Sequence, residues 1–190
     1  YLYINQKNGS SPRFKDELRQ HISHTSYSAM GMDIGDLNND GLQDIVTLDM
    51  LPEDNARQKL LLWPDNWNVY QAQLKNGFWH ANMRNMLQIN QGNGKFAEIG
   101  QSAGISNTDW SWGALLADFD LDAYKDIFIS NGMGKDLTNA DFIKYADDAT
   151  AERVPLLEQL KQMTTSKTKN YIFRNKHNLS FENKQNDWGF

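Results

Sequence analysis

The sequence predicts a mainly β fold, in which four-stranded antiparallel units repeat and helical insertions separate some of the strands, and three observations predict it. The chain repeats itself at long period. Each unit opens on a strand that runs into an Asp-rich loop and straight out into a second strand. Each unit closes on a hairpin rich in Asn.

The repeat is direct. MGMDIGDLNNDGLQDIVTLDM (30 to 50) aligns with WGALLADFDLDAYKDIFISNG (112 to 132), an offset of 82 residues that carries Asp36 to Asp118. A second phrase occurs three times: YLYINQKNGSSPRF from Tyr1, NMLQINQGNGKF from Asn85 and NYIFRNKHNLSF from Asn170, with Asn5, Asn90 and Asn175 in steps of 85. Trp188-Gly189 echoes Trp112-Gly113. Within a unit, Ile45 to Leu48 and Ile127 to Ile129 are β-branched or aromatic runs, and Leu87-Gln88-Ile89 alternates with the period of a half-buried strand. Between Ile89 and Phe96, Asn-Gln-Gly-Asn-Gly-Lys predicts a hairpin, because Asn and Gly tolerate positive φ.

The insertions read as helical. Pro52-Glu53-Asp54 suits the first turn of a helix over 52 to 62, and Trp67, Tyr70 and Leu74 share one face of a helix over 65 to 76 that stops before Gly77. Thr138 with Asp141 resembles a capping box, and Leu157, Leu160 and Met163 mark a later helix. These helices are expected to lie against the sheets. Four antiparallel strands per unit, repeated, is the pattern of β-propeller blades, here longer than the ~40 to 50 residues of common blades. The expected division is the last strands of one blade over 1 to 28, a blade over 29 to 111 with its insertion at about 51 to 84, and a second over 112 to 185 with its insertion at about 134 to 168. Residues 186 to 190 would open a further blade.

Composition bounds the function. With 190 residues, of which 39% are hydrophobic, the chain can build the core of one ordinary domain. No stretch approaches the ~20 apolar residues of a membrane span, and no charged-then-apolar leader precedes Tyr1. Because the chain opens inside a repeat and lacks an initiator Met, it is expected to be a piece of a longer protein, with any export signal upstream. The absence of cysteine removes disulfides, thiolate zinc sites and cysteine nucleophiles. Net charge is -5, and seven Asp crowd into 36 to 44 and 118 to 126, so two divalent cations would bring the balance to -1. That acidity argues against a nucleic-acid partner, which asks for a basic face.

The two acidic windows are the candidate metal loops. In Asp36-Leu37-Asn38-Asn39-Asp40-Gly41-Leu42-Gln43-Asp44, oxygen side chains fall at positions 1, 3, 5 and 9, a glycine sits at position 6, and Leu42 can offer its backbone carbonyl. Calcium suits such a set, since it takes six to eight oxygens in flexible geometry where magnesium holds to a smaller octahedron. Without a cation, carboxylates ~4 Å apart repel by roughly 4 kcal/mol per pair at an effective dielectric of ~20. The second loop, Asp118-Phe119-Asp120-Leu121-Asp122-Ala123-Tyr124-Lys125-Asp126, has four carboxylates against three and should attract a divalent cation more strongly on charge alone. Against this, Ala123 stands where the first loop has glycine, at about 1 to 2 kcal/mol for a left-handed residue with a Cβ. Lys125 is expected to point outward. An EF-hand or a dockerin-type module would place helices beside the loop, and an EF-hand wants Glu at position 12, where Thr47 and Ile129 stand.

Other chemistry is weaker. His21, His24, His80 and His177 form no HExxH pattern or Ser-His-Asp constellation and read as surface or packing histidines. Gly92-Asn93-Gly94 lies in a hairpin, the wrong context for a phosphate cradle. Trp110, Trp112 and Trp188 recur at unit starts and are expected in core or inter-unit packing. Trp63, Trp67 and Trp79 could stack on a sugar or protein, but burial of the insertion against the sheets is the favoured reading.

Asp-x-Asn-x-Asp-Gly-x-x-Asp at 36 to 44, followed by Ile45-Val46 and preceded by a Gly-rich strand, resembles the FG-GAP or VCBS-type repeats of integrin-α-like propellers. MLPEDNARQK (50 to 59), RNMLQINQGNGKFAEIGQSAGISNTDWSWG (84 to 113) and KDIFISNGMGKD (125 to 136) are similar to large Bacteroidetes surface proteins that often end in an ASPIC/UnbV domain. The resemblance implies a propeller of about seven blades, calcium in selected loops, export, and attachment at the outer membrane. Position by position it implies Asp36, Asn38, Asp40, Leu42 and Asp44 as ligands of one ion and Asp118, Asp120, Asp122, Tyr124 and Asp126 as ligands of another. Ala123 departs from the pattern and puts that site's affinity in question. The expected role is an extracellular or cell-surface scaffold that binds protein or glycan. Alternatives are the propeller of a carbohydrate-active or other hydrolytic enzyme, which would need an open metal position and a poised base, and a structural spacer.

Overall fold

The computed structural model describes residues 1 to 6, 12 to 61 and 66 to 189. Trp63 and the end of the helix expected over 52 to 62 lie outside the described residues. The chain is mainly β, with antiparallel sheets none of which closes into a barrel.

An N-terminal segment comes first. Strands β1 (Tyr3–Asn5) and β2 (Phe14–Asp16) form an antiparallel pair, followed by a single helical turn α1 (Leu18–His21) and the two-residue strand β3 (Thr25–Ser26). The first repeat then supplies β4 (Gly31–Gly35), β5 (Asp44–Leu48), helices α2 (Asn55–Leu60) and α3 (Trp67–Lys75), and strands β6 (Ala81–Asn82), β7 (Met86–Asn90) and β8 (Phe96–Glu98). Its sheet has the order β4-β5-β7-β8, all antiparallel. Strand β6 instead pairs with β3, in parallel, and so ties the insertion to the N-terminal segment.

The second repeat gives β9 (Ser111–Ala117), β10 (Asp126–Asn131), helices α4 (Ala140–Ala151) and α5 (Leu156–Gln162), and strands β11 (Tyr171–Asn175) and β12 (Phe181–Asn183). Their order is β9-β10-β11-β12, again antiparallel.

Helices α2, α3 and α4 start where side chains can cap them. Asp54, Asn66 and Asn139 each accept backbone N–H groups of the first turn, satisfying donors that have no partner inside the helix. Asn139 therefore replaces Thr138 as the cap of α4, and the Thr138 hydroxyl donates to Asp136 instead. Trp67 departs from the expected burial and is 70% exposed, and Leu157 and Leu160 also face solvent. Trp79 does pack inward, with its indole N–H on the Ile22 carbonyl and the Arg19 guanidinium over its ring. Trp112, expected in packing, is half exposed and donates to Gly132 O at 2.6 Å.

One core joins the two repeats, and its composition shows how they stack. Val46, Leu48, Leu87 and Ile89 of the first sheet meet Leu116, Ile127, Ile129, Tyr171 and Phe173 of the second. Each buried aliphatic side chain stabilises by roughly 1.5 to 3 kcal/mol. The repeat counterparts of Val46 and Leu48 are Phe128 and Ser130, on the opposite face of β10 from Ile127 and Ile129. Equivalent sheets thus stack front to back. At their crossing Gly31 has no substitute, because a Cβ there would lie 2.2 Å from the Trp112 carbonyl oxygen. Asp33 closes the same contact by accepting the Leu116 N–H at 2.8 Å.

The first insertion is held down by charge. Arg57 of α2 pairs with both oxygens of Asp109 (2.6 and 3.0 Å), with Asp136 Oδ2 (2.5 Å) and with the Ser166 hydroxyl (2.7 Å). Tyr171 donates its phenol to Glu53 at 2.8 Å, and burial together with that carboxylate pushes the phenol well above its usual range.

Candidate metal sites

Both acidic loops connect the first two strands of a four-stranded sheet, β4 to β5 and β9 to β10, so strands flank them on either side. Their carboxylate-to-backbone hydrogen bonds correspond. Asp36 accepts the Asp40 and Gly41 N–H groups (3.2 and 2.9 Å), as Asp118 accepts those of Asp122 and Ala123 (3.1 and 2.9 Å). Asp40 accepts from Leu42 N–H at 2.8 Å and Asp122 from Tyr124 N–H at 2.9 Å.

Asp44 and Asp126, both fully buried, do the most. Asp44 accepts from Leu37 N–H (3.0 Å) and, across the sheet, from Asn90 N–H (2.9 Å). Asp126 accepts from Phe119 N–H (3.0 Å) and Asn175 N–H (2.8 Å). Burial pushes both carboxyls above the usual range; the backbone donors oppose that shift and neighbouring carboxylates reinforce it.

The backbones match as well. Positions 4 and 6 are left-handed in each loop, at φ 59 and 83 for Asn39 and Gly41 and at φ 62 and 73 for Leu121 and Ala123. The strain expected at Ala123 is therefore real, and Leu121 adds a second strained residue that the glycine comparison did not flag.

The loops differ in where their oxygens gather. Asp118, Asp120 and Asp126 bring one carboxylate oxygen each within 4.8 Å of one another, and among the described residues this is the one such acidic group. Asp120 Oδ1 is buried without a hydrogen-bond partner. A desolvated carboxylate oxygen beside two other carboxylates suits a hard cation, and the donor set is oxygen alone. In the first loop the Asn38 amide donates to Asp40 Oδ2 at 2.9 Å, so Asn38 and Asp40 engage each other. Leu42 and Tyr124 close their loops through their N–H groups.

Two residues beyond the expected set belong to the second loop. Arg174 of β11 places Nε 2.6 Å from Asp120 Oδ2 and Nη2 3.5 Å from Asp122 Oδ2. His177 sets Nε2 2.8 Å from the same Asp122 oxygen and stacks on Tyr124, with ring centroids 4.0 Å apart. The Tyr124 N–H and His177 hold the Asp122 carboxyl below its usual range. His177 is thus a surface histidine, as expected, that also engages the loop. The offset of 85 between hairpin phrases held the signal, because it sets Arg174 and His177 against Ile89 and Gly92. Lys125 lays its aliphatic stem beside Gly35 of the neighbouring sheet.

Compared with family models, with curated proteins and with solved structures, the chain gives no match in any of the three. No helix among the described residues is long and apolar enough to cross a membrane.

Proposed function

We propose that this chain is a calcium-binding repeat module of the FG-GAP/VCBS kind, part of a β-propeller that serves as a binding scaffold for protein or glycan at the cell surface. The observation that carries the reading is the grouping of the Asp118, Asp120 and Asp126 carboxylates, with Asp120 Oδ1 buried and unpartnered, in a loop whose framework recurs 82 residues earlier. The front-to-back stacking of equivalent sheets supports the propeller, because such stacking can continue from blade to blade.

In this reading Asp118, Asp120, Asp122, Asp126 and the Tyr124 carbonyl hold one ion, and Asp36, Asn38, Asp40, Asp44 and the Leu42 carbonyl hold the other. Calcium supplies charge neutralisation and cross-linking, so its binding energy becomes folding energy. The buried carboxylates at position 9 tie each loop to a hairpin, which lets an ion in the loop stiffen the outer strands. Export to the outside or to an outer-membrane surface fits a calcium-rich setting, and the other blades of a longer chain would be its first partners.

Thermal unfolding in calcium and in chelator tests the reading. Calcium at about 100 times its dissociation constant adds ~2.7 kcal/mol, which for a chain of this length raises the midpoint by roughly 5 to 10 °C. An unfolding curve that calcium does not move would sink the proposal.

A further inference from the structure

We infer that Arg174 is a built-in counter-ion of the second loop, one that lets the loop keep its shape without a divalent ion and makes it the weaker calcium site despite its extra carboxylate. The inference rests on the calcium reading above and adds to it a residue that sets affinity.

The first loop carries three carboxylates, Asp36, Asp40 and Asp44, with no cationic residue in the loop or at the matching hairpin positions, Ile89 and Gly92. The second carries four, but Lys125 lies within it and Arg174 pairs with two of the four. Its net charge therefore falls from -4 to -2, against -3 for the first loop. A divalent ion responds to that net field, and the count of carboxylates alone misleads.

Geometry makes Arg174 the deciding residue. Its guanidinium takes Asp120 Oδ2, in the carboxylate that groups with Asp118 and Asp126, and leaves Oδ1 buried without a hydrogen-bond partner. The charge that an ion would neutralise is thus partly neutralised already, and the same charge repels an incoming ion. His177 reinforces the arrangement by holding Asp122 from the same hairpin. Strand β11 delivers Arg174, and the turn that follows it delivers His177, so the main counter-charge is fixed by the sheet itself.

A purely structural residue and a counter-ion give different signatures. Loss of a structural residue lowers stability and calcium affinity together, whereas loss of a counter-ion lowers stability without calcium and raises affinity. Calcium titration by calorimetry, in an Asp40→Asn background that weakens the first loop, reads the second. Arg174→Gln, neutral and still able to hydrogen-bond, is expected to bind calcium on the order of tenfold more tightly and to melt at a lower temperature in chelator. Arg174→Lys, which keeps the charge, is expected to bind as the parent does. Should Arg174→Gln fail to fold in chelator, the Lys variant decides, because a tenfold gain there overturns the charge argument. Unchanged or weaker binding by Arg174→Gln overturns the inference and leaves the calcium reading standing. No calcium binding by parent or variants overturns both.

Discussion

The two acidic loops share a backbone and differ in what offsets their charge and in what relieves their strain. Five carboxylate-to-backbone hydrogen bonds recur in register, as do two left-handed residues at positions 4 and 6. The first loop meets the backbone demand with Asn39 and Gly41, and among the described residues no ion pair to its carboxylates is seen. The second places Leu121 and Ala123 at those positions and has Arg174 and His177. The hairpins follow suit, with Gly92 and Gly94 (φ 72 and 76) in the first repeat where His177 and Leu179 (φ 63 and 61) stand in the second. The lesson is that the hydrogen-bonded frame specifies the loop, while glycine is a support that other residues can replace at some cost.

The sharpest way to break the comparison is at its shared part. Asp44→Ala and Asp126→Ala each strand two backbone donors and cut the tie from loop to hairpin. At ~1 to 3 kcal/mol per stranded buried donor, each should cost about 3 kcal/mol or more in urea unfolding. Equal losses support a common frame. A mild loss in one loop alone would show that its frame is held by something else.

Calcium sharpens the difference next. With no counter-charge of its own, the first loop should claim the larger share of the calcium-dependent gain in melting temperature. Asp40→Asn is then expected to remove more of the roughly 5 to 10 °C shift than Asp122→Asn does, as read by thermal scans with and without chelator. The reverse order would mean that carboxylate number outweighs Arg174.

Acid separates two kinds of buried carboxylate. Asp44 and Asp126 are pushed up by burial, so in chelator their ionisation opposes folding above their folded-state values, and that penalty disappears as pH falls toward the ordinary carboxylate range. Asp136 runs the other way: burial raises it, but hydrogen bonds from Arg57 and Ser166 and the Arg57 charge outweigh burial and hold it low. Its contribution is present above the ordinary carboxylate value and is lost as pH falls through its lowered one. Chelated protein should therefore hold or gain stability as pH falls from 7 towards 5, and Arg57→Ala should erase a component lost only in stronger acid. Urea unfolding across a pH series checks both signs, and a steady decline from pH 7 would contradict them.

What the sequence showed and what it hid divide along physical lines. The strands, the loop positions and the hairpins were legible because period, oxygen spacing and Asn/Gly usage are local properties of Asp36 to Asp44 or Asn90 to Lys95. Contacts made at a distance were hidden. Arg57 reaches Asp109 and Asp136, β3 finds β6, and Arg174 reaches back across a long insertion to Asp120. Even at helix starts, Thr138 and Asn139 both carry capping oxygens, and Asn139 caps while Thr138 turns to Asp136. Trp67 shows the same limit, since a shared helix face predicts amphipathicity but not what covers it.

The smallest expected effect tests the strain directly. At Gly41 a Cβ would meet no atom within 4 Å, so Gly41→Ala exposes the left-handed penalty with no added clash. Ala123→Gly relieves that penalty, about 1 to 2 kcal/mol, but returns part of it as extra freedom of the unfolded chain, ~0.4 to 1 kcal/mol. The net gain should be roughly 0.5 to 1 kcal/mol, with a loss of similar size for Gly41→Ala. Leu121→Asn copies the first loop's Asn39 and should stabilise to a similar degree, because Asn adopts this conformation more readily than a bulky aliphatic residue does. Paired urea curves in chelator measure all three without the ion's contribution. Were Ala123→Gly to lose stability, the left-handed turn would be held by a contact of the Ala123 methyl group, and the two loops would differ in packing as well as in charge.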